Sequence, residues 1–425
     1  MLVTIKKMPG LLSWRVELDG GHIDDEVSGP FLGRPVTMDL SGRVHCPNGV
    51  NVCRNGIESC HKHRPLSRTI RLRPPVRDGP VFVFRWGSDS VKYAKPHIPY
   101  DQQVALLRSR GLAVEDPERA IQDLKRIGYY RLSGYLYPFR RIDPERQATG
   151  KRTRPQRLDS FVDGASLEDG VRLHDFDHRL AQVLLDGIQQ IEIGLRVKIG
   201  YVLGKHGPFA HLDTAELGPQ ALQEHRRIAG RSRYDVWRRE YDDQQAKAER
   251  GKHEFVLHFV ERYNGEVPIW AATEFMTMGC LVSLLGLMER KDQRTIAREL
   301  SLKNQDVLRG WLRPLNVLRN HCAHGNRVWN RPVVFQSDRL NLNMLSSPDF
   351  LAHLEASSKA PVDHRVYFHS ATAAYLLKAI NPNTSWPTKF VEVMTTFPHS
   401  VEALGLSAQT MMGFPEDWRR EDLWN

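Results

Sequence analysis

The chain has 425 residues, 41% of them hydrophobic, which is enough for one large or two medium domains with buried cores. Its 60 Lys and Arg against 50 Asp and Glu give a formal net charge of +10, which suits a polyanionic partner but specifies no fold. No apolar run approaches the ~18 residues of a transmembrane helix, and no membrane partner is expected. Residues 1–10 are too short and too interrupted for a signal peptide. Five unevenly placed Cys favour a reducing, cytoplasmic compartment over a disulfide framework.

Residues 1–91 differ from the rest of the chain. They are rich in Gly, Pro and Arg, lack helical periodicity, and include short β-like runs at 13–18 and 81–84. This pattern predicts an N-terminal extension that is either a small β module or poorly ordered. The helical patterns that follow predict a second domain spanning 92–425.

The N-terminal extension also contains a group of potential zinc ligands. Sulfur and imidazole are the side chains that zinc prefers, but the intervals between these Cys are longer than the two to four residues of ordinary zinc knuckles. Free thiols in a loop are therefore the favoured interpretation, and neither a metal nor a cofactor is expected. The group consists of Cys46, Cys53, Cys60, His61 and His63.

Helical patterns begin near residue 100. Residues 101–110 form a short predicted helix that Gly111 closes. Asp116 followed by Pro117 is typical of a helix start, and that helix is predicted to end at Gly128.

An aromatic and basic segment follows at 129–139. Tyr130 and Arg131 lie in it and could contact RNA, because aromatic rings and guanidinium planes stack on unpaired bases. The alternative, which we favour, is that the aromatic residues of this segment close a core between helices.

A capping-box pattern at Ser166 and Asp169 then opens a long predicted helix with one apolar stripe up to Val202. Glu192 and Arg196 lie four residues apart on this helix and are expected to pair.

Three further apolar segments predict helices. Residues 270–288 form the most apolar one, and they include Glu274, a carboxylate that must be either partnered or functional in such surroundings. Residues 366–379 and 386–396 predict two late helices.

The segment 304–324 is the most informative part of the chain. Its apolar residues recur at three-and-four spacing, which predicts one buried helical face, and Asn304 is a suitable N-cap. Gly325 is a natural residue to follow the helix end, so His324 is expected to terminate it. Pro314 is expected to kink the helix because it lacks a backbone donor. The stripe of this helix is expected to pack against that of the long helix containing Glu192.

The end of this helix carries residues suited to phosphate chemistry. Arg319 can hold a phosphate as a permanently charged fork, and His324 can transfer a proton near neutral pH. On an ideal helix the two lie about 140° apart, so they converge only if the Arg side chain wraps round or a second copy faces the first. The same spacing also occurs elsewhere, and the alternative is a cation that simply favours a helix C-terminus. The other matches are Arg15/His22, Arg54/His61 and Arg172/His178.

Several segments, in this order along the chain, resemble the Abi-like proteins, the bacterial abortive-infection proteins of the AbiD/AbiF group. The resemblance covers roughly residues 92–420. Its segments are YAKP at 93–96, IGYYRLSGY at 127–135, IEIGLR at 191–196, PIWAATEFMTMG at 268–279, LRNHCAHGNRVW at 318–329 and MGFPEDW at 412–418.

The resemblance implies a mainly α fold, a multi-helix bundle related to the HEPN superfamily of RNases. That superfamily carries an Arg and, after four to six residues, a His, which match Arg319 and His324 here, with Asn320 beside the Arg. Its members commonly dimerise so that two motifs face each other. Gly325 departs from the pattern, since many relatives carry a second His there, and residues 1–91 have no counterpart.

The implied activity is an endoribonuclease that needs no metal. The 2′-hydroxyl would attack the adjacent phosphorus and leave a cyclic phosphate and a 5′-hydroxyl. His324 would be the general acid or base, Arg319 would neutralise the phosphoryl charge, and Asn320 would orient one of them. Supporting roles are expected for Glu192, Arg196 and Glu274, and RNA contacts for Tyr130, Arg131, Arg327 and Arg331.

A second function remains open at this stage, that of a phage-sensing or RNA-binding module without catalysis. Arg319 and His324 would then be structural, for instance through an ion pair with Glu192 or Glu274. The expected partners are RNA, a second copy of the chain, and a phage trigger or an antitoxin.

Overall fold

The computed structural model describes residues 96–144, 157–332, 340–354 and 365–425 with their side chains. It describes the backbone alone for residues 355–356 and for seven short strands before residue 86. The chain divides into two compact units, Met1–His97 and Ile98–Asn425. The boundary expected after residue 91 stays a prediction.

The first unit contains two small antiparallel sheets. The β-like runs at 13–18 and 81–84 correspond to β2 and β7, which flank β1 in a three-stranded sheet, and β3 to β6 follow one another in the second sheet. The side chains of the potential zinc ligands Cys46, Cys53, Cys60, His61 and His63 lie outside the described residues. The strands are β1 (Leu2–Lys7), β2 (Trp14–Leu18), β3 (Thr37–Met38), β4 (Val44–His45), β5 (Asn51–Cys53), β6 (Gly56–Ile57) and β7 (Phe82–Arg85).

The second unit is built from helices with one short antiparallel pair, β8 (Arg140–Ile142) and β9 (Arg157–Phe161). The predicted mainly α fold is therefore confirmed. Its helices are α1 (Tyr100–Ser109), α2 (Pro117–Ile127), α3 (Tyr129–Leu136), α4 (Leu167–Gly204), α5 (Arg233–Arg250), α6 (Glu254–Tyr263), α7 (Ile269–Phe275), α8 (Met278–Leu285), α9 (Arg290–Glu299), α10 (Gln305–Ala323), α11 (Ala352–Ala356), α12 (Val366–Ile380), α13 (Trp386–Thr395), α14 (His399–Ala403) and α15 (Ala408–Met412).

The long helix α4 is the centre of this unit. It begins at the predicted capping box, in which the Ser166 hydroxyl accepts a hydrogen bond from the backbone of Asp169 and the Asp169 carboxylate accepts one from the backbone of Ser166. Helices α3, α7, α10, α12 and α13 all pack against it. Gly187 is essential to this packing, because a Cβ there would lie 2.4 Å from the indole nitrogen of Trp386.

Helix α10 follows the predicted pattern. The Asn304 side chain accepts a hydrogen bond from the backbone of Asp306, and the apolar stripe from Leu308 to Cys322 is buried. Pro314 lies inside the helix and is buried with the stripe. The expected packing of α10 against α4 is confirmed, so the segment that ends at His324 lies along the core helix that carries Glu192.

The single helix expected at 270–288 is wrong. The chain leaves the helical conformation at Met276, which has ψ 134°, and α8 starts afresh after Thr277. The Thr277 hydroxyl accepts a hydrogen bond from the backbone of Cys280, while the Thr277 backbone donates to Gln244 of α5 at 2.7 Å. These side-chain bonds satisfy backbone groups that a continuous helix would use, so they stabilise the break. No helix among the described residues is long and apolar enough to span a membrane.

Candidate functional site

The last turn of α10 presents His324 at the surface. The His324 backbone still donates to Asn320 at 3.0 Å, and the chain then reverses through Gly325, whose φ of +61° lies in the left-handed region that glycine adopts without strain. The Asn326 backbone donates back to the carbonyl of His321 at 2.9 Å and closes the turn. The imidazole of His324 is exposed and has no hydrogen bond or ion pair within the described residues, so it is accessible to a ligand.

Arg319 lies on the inner side of the same turn. Its Nε is 3.7 Å from Oε2 of Glu192, a carboxylate buried in α4, and its Nη1 donates to Oδ1 of Asn320 at 3.3 Å. The Arg319 side chain keeps 28% of its surface exposed, whereas that of Glu192 keeps 6%. The guanidinium group thus joins the core to the surface, with its outer edge beside exposed Asn320.

Glu192 is shared between two arginines. Its Oε1 accepts a hydrogen bond from Nη2 of Arg196 at 2.9 Å, which confirms the pair expected on α4. Arg196 also reaches Glu274 of α7 at 3.4 Å and the carbonyl of Met276 at 3.2 Å. The result is a row of alternating charges, Arg319–Glu192–Arg196–Glu274, that ties α10, α4 and α7 together. This contact is also what the structural interpretation of Arg319 requires.

The predicted RNA-contacting residues gather around the turn after α10. Nη1 of Arg131 donates to the carbonyl of Gly325 at 2.7 Å, and Arg327 donates to the carbonyl of Gly134 in α3. Helix α3 therefore lies against the chain on either side of Asn326. Tyr130 on this helix is 91% exposed, whereas Tyr135 is buried, so the aromatic segment contributes both to the core and to the surface.

His321 has a place in the site for which the sequence analysis gave it no role. It is half-buried, and its Nδ1 lies 3.3 Å from the side-chain amide nitrogen of Asn326. Burial lowers the pKa of His321, and the positive charges of Arg331 and His324 lower it further. A second imidazole therefore lies near His324. The signal was available in the sequence, because residues three apart share a helix face.

Asp177 of α4 holds the turn in place, and the sequence gave no sign of this. Its buried carboxylate accepts hydrogen bonds from the backbone of Val328 at 3.1 Å and of Trp329 at 2.7 Å. It also accepts one from the hydroxyl of Tyr135 in α3 at 2.8 Å. Burial raises the pKa of Asp177 although these donors oppose the shift. One carboxylate thus fixes both α3 and the segment that follows His324.

The structure therefore gathers the candidate residues into two adjoining groups. Arg319 and Asn320 adjoin the Glu192–Arg196–Glu274 network, while His324 lies with His321 and the arginines of the turn. Among the described residues, no recorded contact joins the guanidinium of Arg319 to the imidazole of His324. Within the same residues, no three His, Cys, Asp or Glu side chains form a group that could hold a metal ion.

The sequence model of a single family, described as Abi-like protein, matches residues 122–330. The match runs from α2 to the turn after α10 and contains Glu192, Arg196, Glu274, Arg319 and His324. No curated protein and no solved structure matches the chain.

Proposed function

Since the chain belongs to the Abi-like protein family through residues 122–330, we propose that it is a bacterial abortive-infection protein that acts by cleaving RNA. The observation that carries the proposal is the exposed, unpartnered imidazole of His324 beside a group of arginines on a rigid helix end. An imidazole can accept and donate protons near neutral pH, and the arginines supply the charge that an RNA phosphate requires.

The reaction is a transesterification within the RNA strand. The 2′-oxygen forms a bond to the adjacent phosphorus while the bond from phosphorus to the 5′-oxygen breaks. A base takes the proton of the 2′-hydroxyl, and an acid gives a proton to the departing 5′-oxygen, so the products are a 2′,3′-cyclic phosphate and a 5′-hydroxyl. His324 performs one of these transfers, and an imidazole contributes most when it titrates near the working pH.

Arg319 neutralises the charge that grows on the phosphoryl oxygens, commonly the largest contribution to catalysis of this kind. Glu192 lies behind the guanidinium at 3.7 Å and Asn320 lies beside it at 3.3 Å, which limits the rotation of a long side chain. Arg196 and Glu274 extend this support across α4 and α7.

RNA would approach over the turn and α3. Arg131 and Arg331 offer positive charge close to the two imidazoles, and Arg327 adds to it from the same turn. Exposed Tyr130 offers a ring on which an unpaired base can stack.

A second copy of the chain would complete the site. The outer face of α4 exposes three apolar side chains one turn apart, with Trp270 of α7 exposed alongside them. A Cβ built at Gly204 would lie 3.3 Å from the ring of Trp270, so this indole packs against α4 at the end of the row. Single exposed apolar residues are ordinary, but an aligned row marks an interaction surface. The exposed fractions are 58% for Ile193, 63% for Val197, 64% for Tyr201 and 55% for Trp270.

This row, which we name the α4 apolar row, begins beside Glu192 and Arg196, so a dimer formed through it would bring two copies of the charged network together. In a two-fold dimer each subunit presents the same surface to the other. Two His324 and two Arg319 side chains would then serve one cleft, which removes the difficulty that the pair sits badly on a single helix.

The test is to incubate the purified protein with total RNA in EDTA and to map the ends of the products. We expect cyclic phosphate and 5′-hydroxyl ends, and we expect them to be lost in His324→Ala and Arg319→Ala. Arg172→Ala and His178→Ala are matched controls, because that pair has the same kind of spacing and lies exposed on α4, where Arg172 pairs with Glu168. Equal cleavage by His324→Ala and the native chain would overturn the proposal.

The alternative function is RNA binding or phage sensing without cleavage, and the ion pair of Arg319 with buried Glu192 is the observation that favours it. In that case the native protein retains labelled RNA but leaves its ends unchanged. Infected cells would still be protected by the His324→Ala variant, whereas a nuclease would lose protection.

A further inference from the structure

A second basic site lies near the start of α10, at the opposite end of the helix from His324. Five arginines from three helices and one loop meet there, and none of them was singled out from the sequence. Arg309 and Arg313 belong to α10, Arg233 is the first residue of α5, Arg290 is the first residue of α9, and Arg226 lies in the loop before α5. We call these five residues the α10 arginine cluster.

The cluster is built around the backbone of Gly286, at the end of α8. Nη2 of Arg233 donates to the Gly286 carbonyl at 3.2 Å. A Cβ at Gly286 would lie 3.4 Å from the same Nη2 and 3.5 Å from Nε of Arg309, so both guanidinium groups lie close to one point. The side chain of Arg309 is only 19% exposed, which limits the positions it can take.

The positive charge of the cluster is not balanced. Asp306 is 3.4 Å from both Arg309 and Arg290 and is the acid that acts on Arg309. The other charges that act on Arg309 are Arg313, Arg233 and Arg290. Burial lowers the pKa of Arg309 and of Arg233, and in both cases neighbouring arginines add to the effect. Such repulsion is relieved when an anion binds, which is why arginine groups of this kind fit phosphates.

The cluster and the candidate active site share one face of α10. Arg309, Arg313, Asn316, Asn320 and His324 are spaced by three or four residues, and none of the five is buried. At ~1.5 Å per residue the helix separates Arg309 from His324 by roughly 22 Å. A polar track with arginines at one end and an imidazole at the other therefore runs along the helix surface.

We propose that the α10 arginine cluster binds the phosphodiester backbone of a single RNA strand whose scissile bond lies at His324. This inference rests on the proposed function and specifies its substrate as a strand long enough to span the track. At ~3.4 Å per nucleotide, a stacked strand would need roughly six nucleotides between the two ends. Shorter RNA would reach only one end of the helix.

The experiment measures binding without cleavage, in the His324→Ala protein. A fluorescent oligouridine longer than the track is titrated at several salt concentrations, with Arg309→Gln/Arg313→Gln as the test variant. We expect the Kd to rise by about tenfold or more, and the slope of log Kd against log salt to fall by about two, one for each lost phosphate contact. An oligouridine too short to span the track should bind both proteins with nearly equal affinity.

Two further variants keep the result interpretable. Arg309→Lys/Arg313→Lys keeps the charge and should keep most of the salt slope, while Arg420→Gln removes an arginine that is 84% exposed and pairs with Asp417 elsewhere on the surface. Unchanged affinity and salt slope in the folded double Gln variant would overturn the inference. Failure of the proposed function is distinguishable, because the native chain would then leave RNA intact while the cluster still bound it.

Discussion

Arg319 and Glu192 lie 3.7 Å apart, Nε to Oε2, and this ion pair connects the last turn of α10 to the interior of α4. The carboxylate is buried and is held by Arg196 from its other side at 2.9 Å. Arg319 therefore has a structural partner as well as an exposed edge, and a simple truncation changes both at once. A useful test must separate the two roles.

The first prediction separates them with a double-mutant cycle. Arg319→Gln should lower the free energy of unfolding by about 1–3 kcal/mol, because buried Glu192 then keeps only Arg196. Glu192→Gln in the same chain should restore much of that loss, since the unpaired charge is gone. RNA cleavage, measured well below the melting temperature, should stay absent in the double variant.

Recovery of cleavage in the double variant would contradict the catalytic role of Arg319. Glu192→Gln alone is the matched control. It should retain measurable cleavage, because it keeps the guanidinium and the exposed imidazole of His324 while loosening only the support behind them.

The second prediction concerns Asp177, which fixes the turn after His324. Asp177→Asn replaces one acceptor oxygen by a donor that faces the backbone N–H groups of Val328 and Trp329. We expect a loss of about 2–4 kcal/mol in the free energy of unfolding, from buried donors left unpaired. Chemical denaturation measures it, and cleavage should fall as well because the arginines of the turn lose their position.

Tyr135→Phe is the matched control for Asp177. It removes only the 2.8 Å hydrogen bond from the Tyr135 hydroxyl and should cost about 1 kcal/mol. An Asp177→Asn protein as stable as Tyr135→Phe would show that the carboxylate does not hold the turn.

Local sequence signals predicted most of the helices correctly because each signal acts within a few residues. Asp116, Ser166 and Asn304 each cap the helix expected after them through a side-chain oxygen. The break at Met276 escaped prediction because its cause lies in another helix, where Gln244 accepts a hydrogen bond from the backbone of Thr277. Apolar composition alone cannot indicate such a partner.

The candidate site shows the same division. The motif at 319–324 and the pair of Glu192 with Arg196 are local patterns, and they could be found in the sequence. The contact of Arg319 with Glu192 joins residues on two helices far apart in the chain, so only the packing of α10 on α4 reveals it. The α10 arginine cluster was missed for the same reason, since its members come from separate elements.

The third prediction is a pH dependence of stability that arises from His211. This imidazole packs edge-on against Trp237 and Tyr241, and its Nε2 lies 3.3 Å from the Tyr241 hydroxyl. Burial lowers the pKa of His211 to about 3 from 6.5. The unfolded chain therefore binds one more proton than the folded chain between these values, so stability is lost as the pH falls below about 6.5.

The loss from this one group approaches about 1.4 kcal/mol per pH unit within that window. His211→Gln cannot take up the proton, so its free energy of unfolding should decline less steeply on acidification, by about one proton in the slope. Denaturant titrations at several pH values between 6.5 and 4.5 measure the difference. Tyr241→Phe keeps the imidazole and should keep the slope, even if it lowers stability throughout. Equal slopes for the native chain and His211→Gln would refute this assignment.

The final prediction tests the dimer through the α4 apolar row. Val197→Glu places a charge in the middle of the row, where a second copy would bury it, so light scattering should show a monomer and RNA cleavage should fall sharply. Leu222→Glu is a matched control, because Leu222 is 64% exposed against 63% for Val197 and lies outside the row. It should leave both assembly and cleavage unchanged.

Mixing subunits then asks whether the two copies share one cleft. Arg319→Ala and His324→Ala subunits are each expected to be inactive alone, but a mixed dimer retains one guanidinium and one imidazole from different chains. Cleavage should therefore reappear as subunits exchange, and it should not reappear when both carry Val197→Glu as well. A native chain that is strictly monomeric and fully active would rule out a shared cleft. The second proton transfer would then be assigned to His321, the imidazole whose pKa His324 helps to lower.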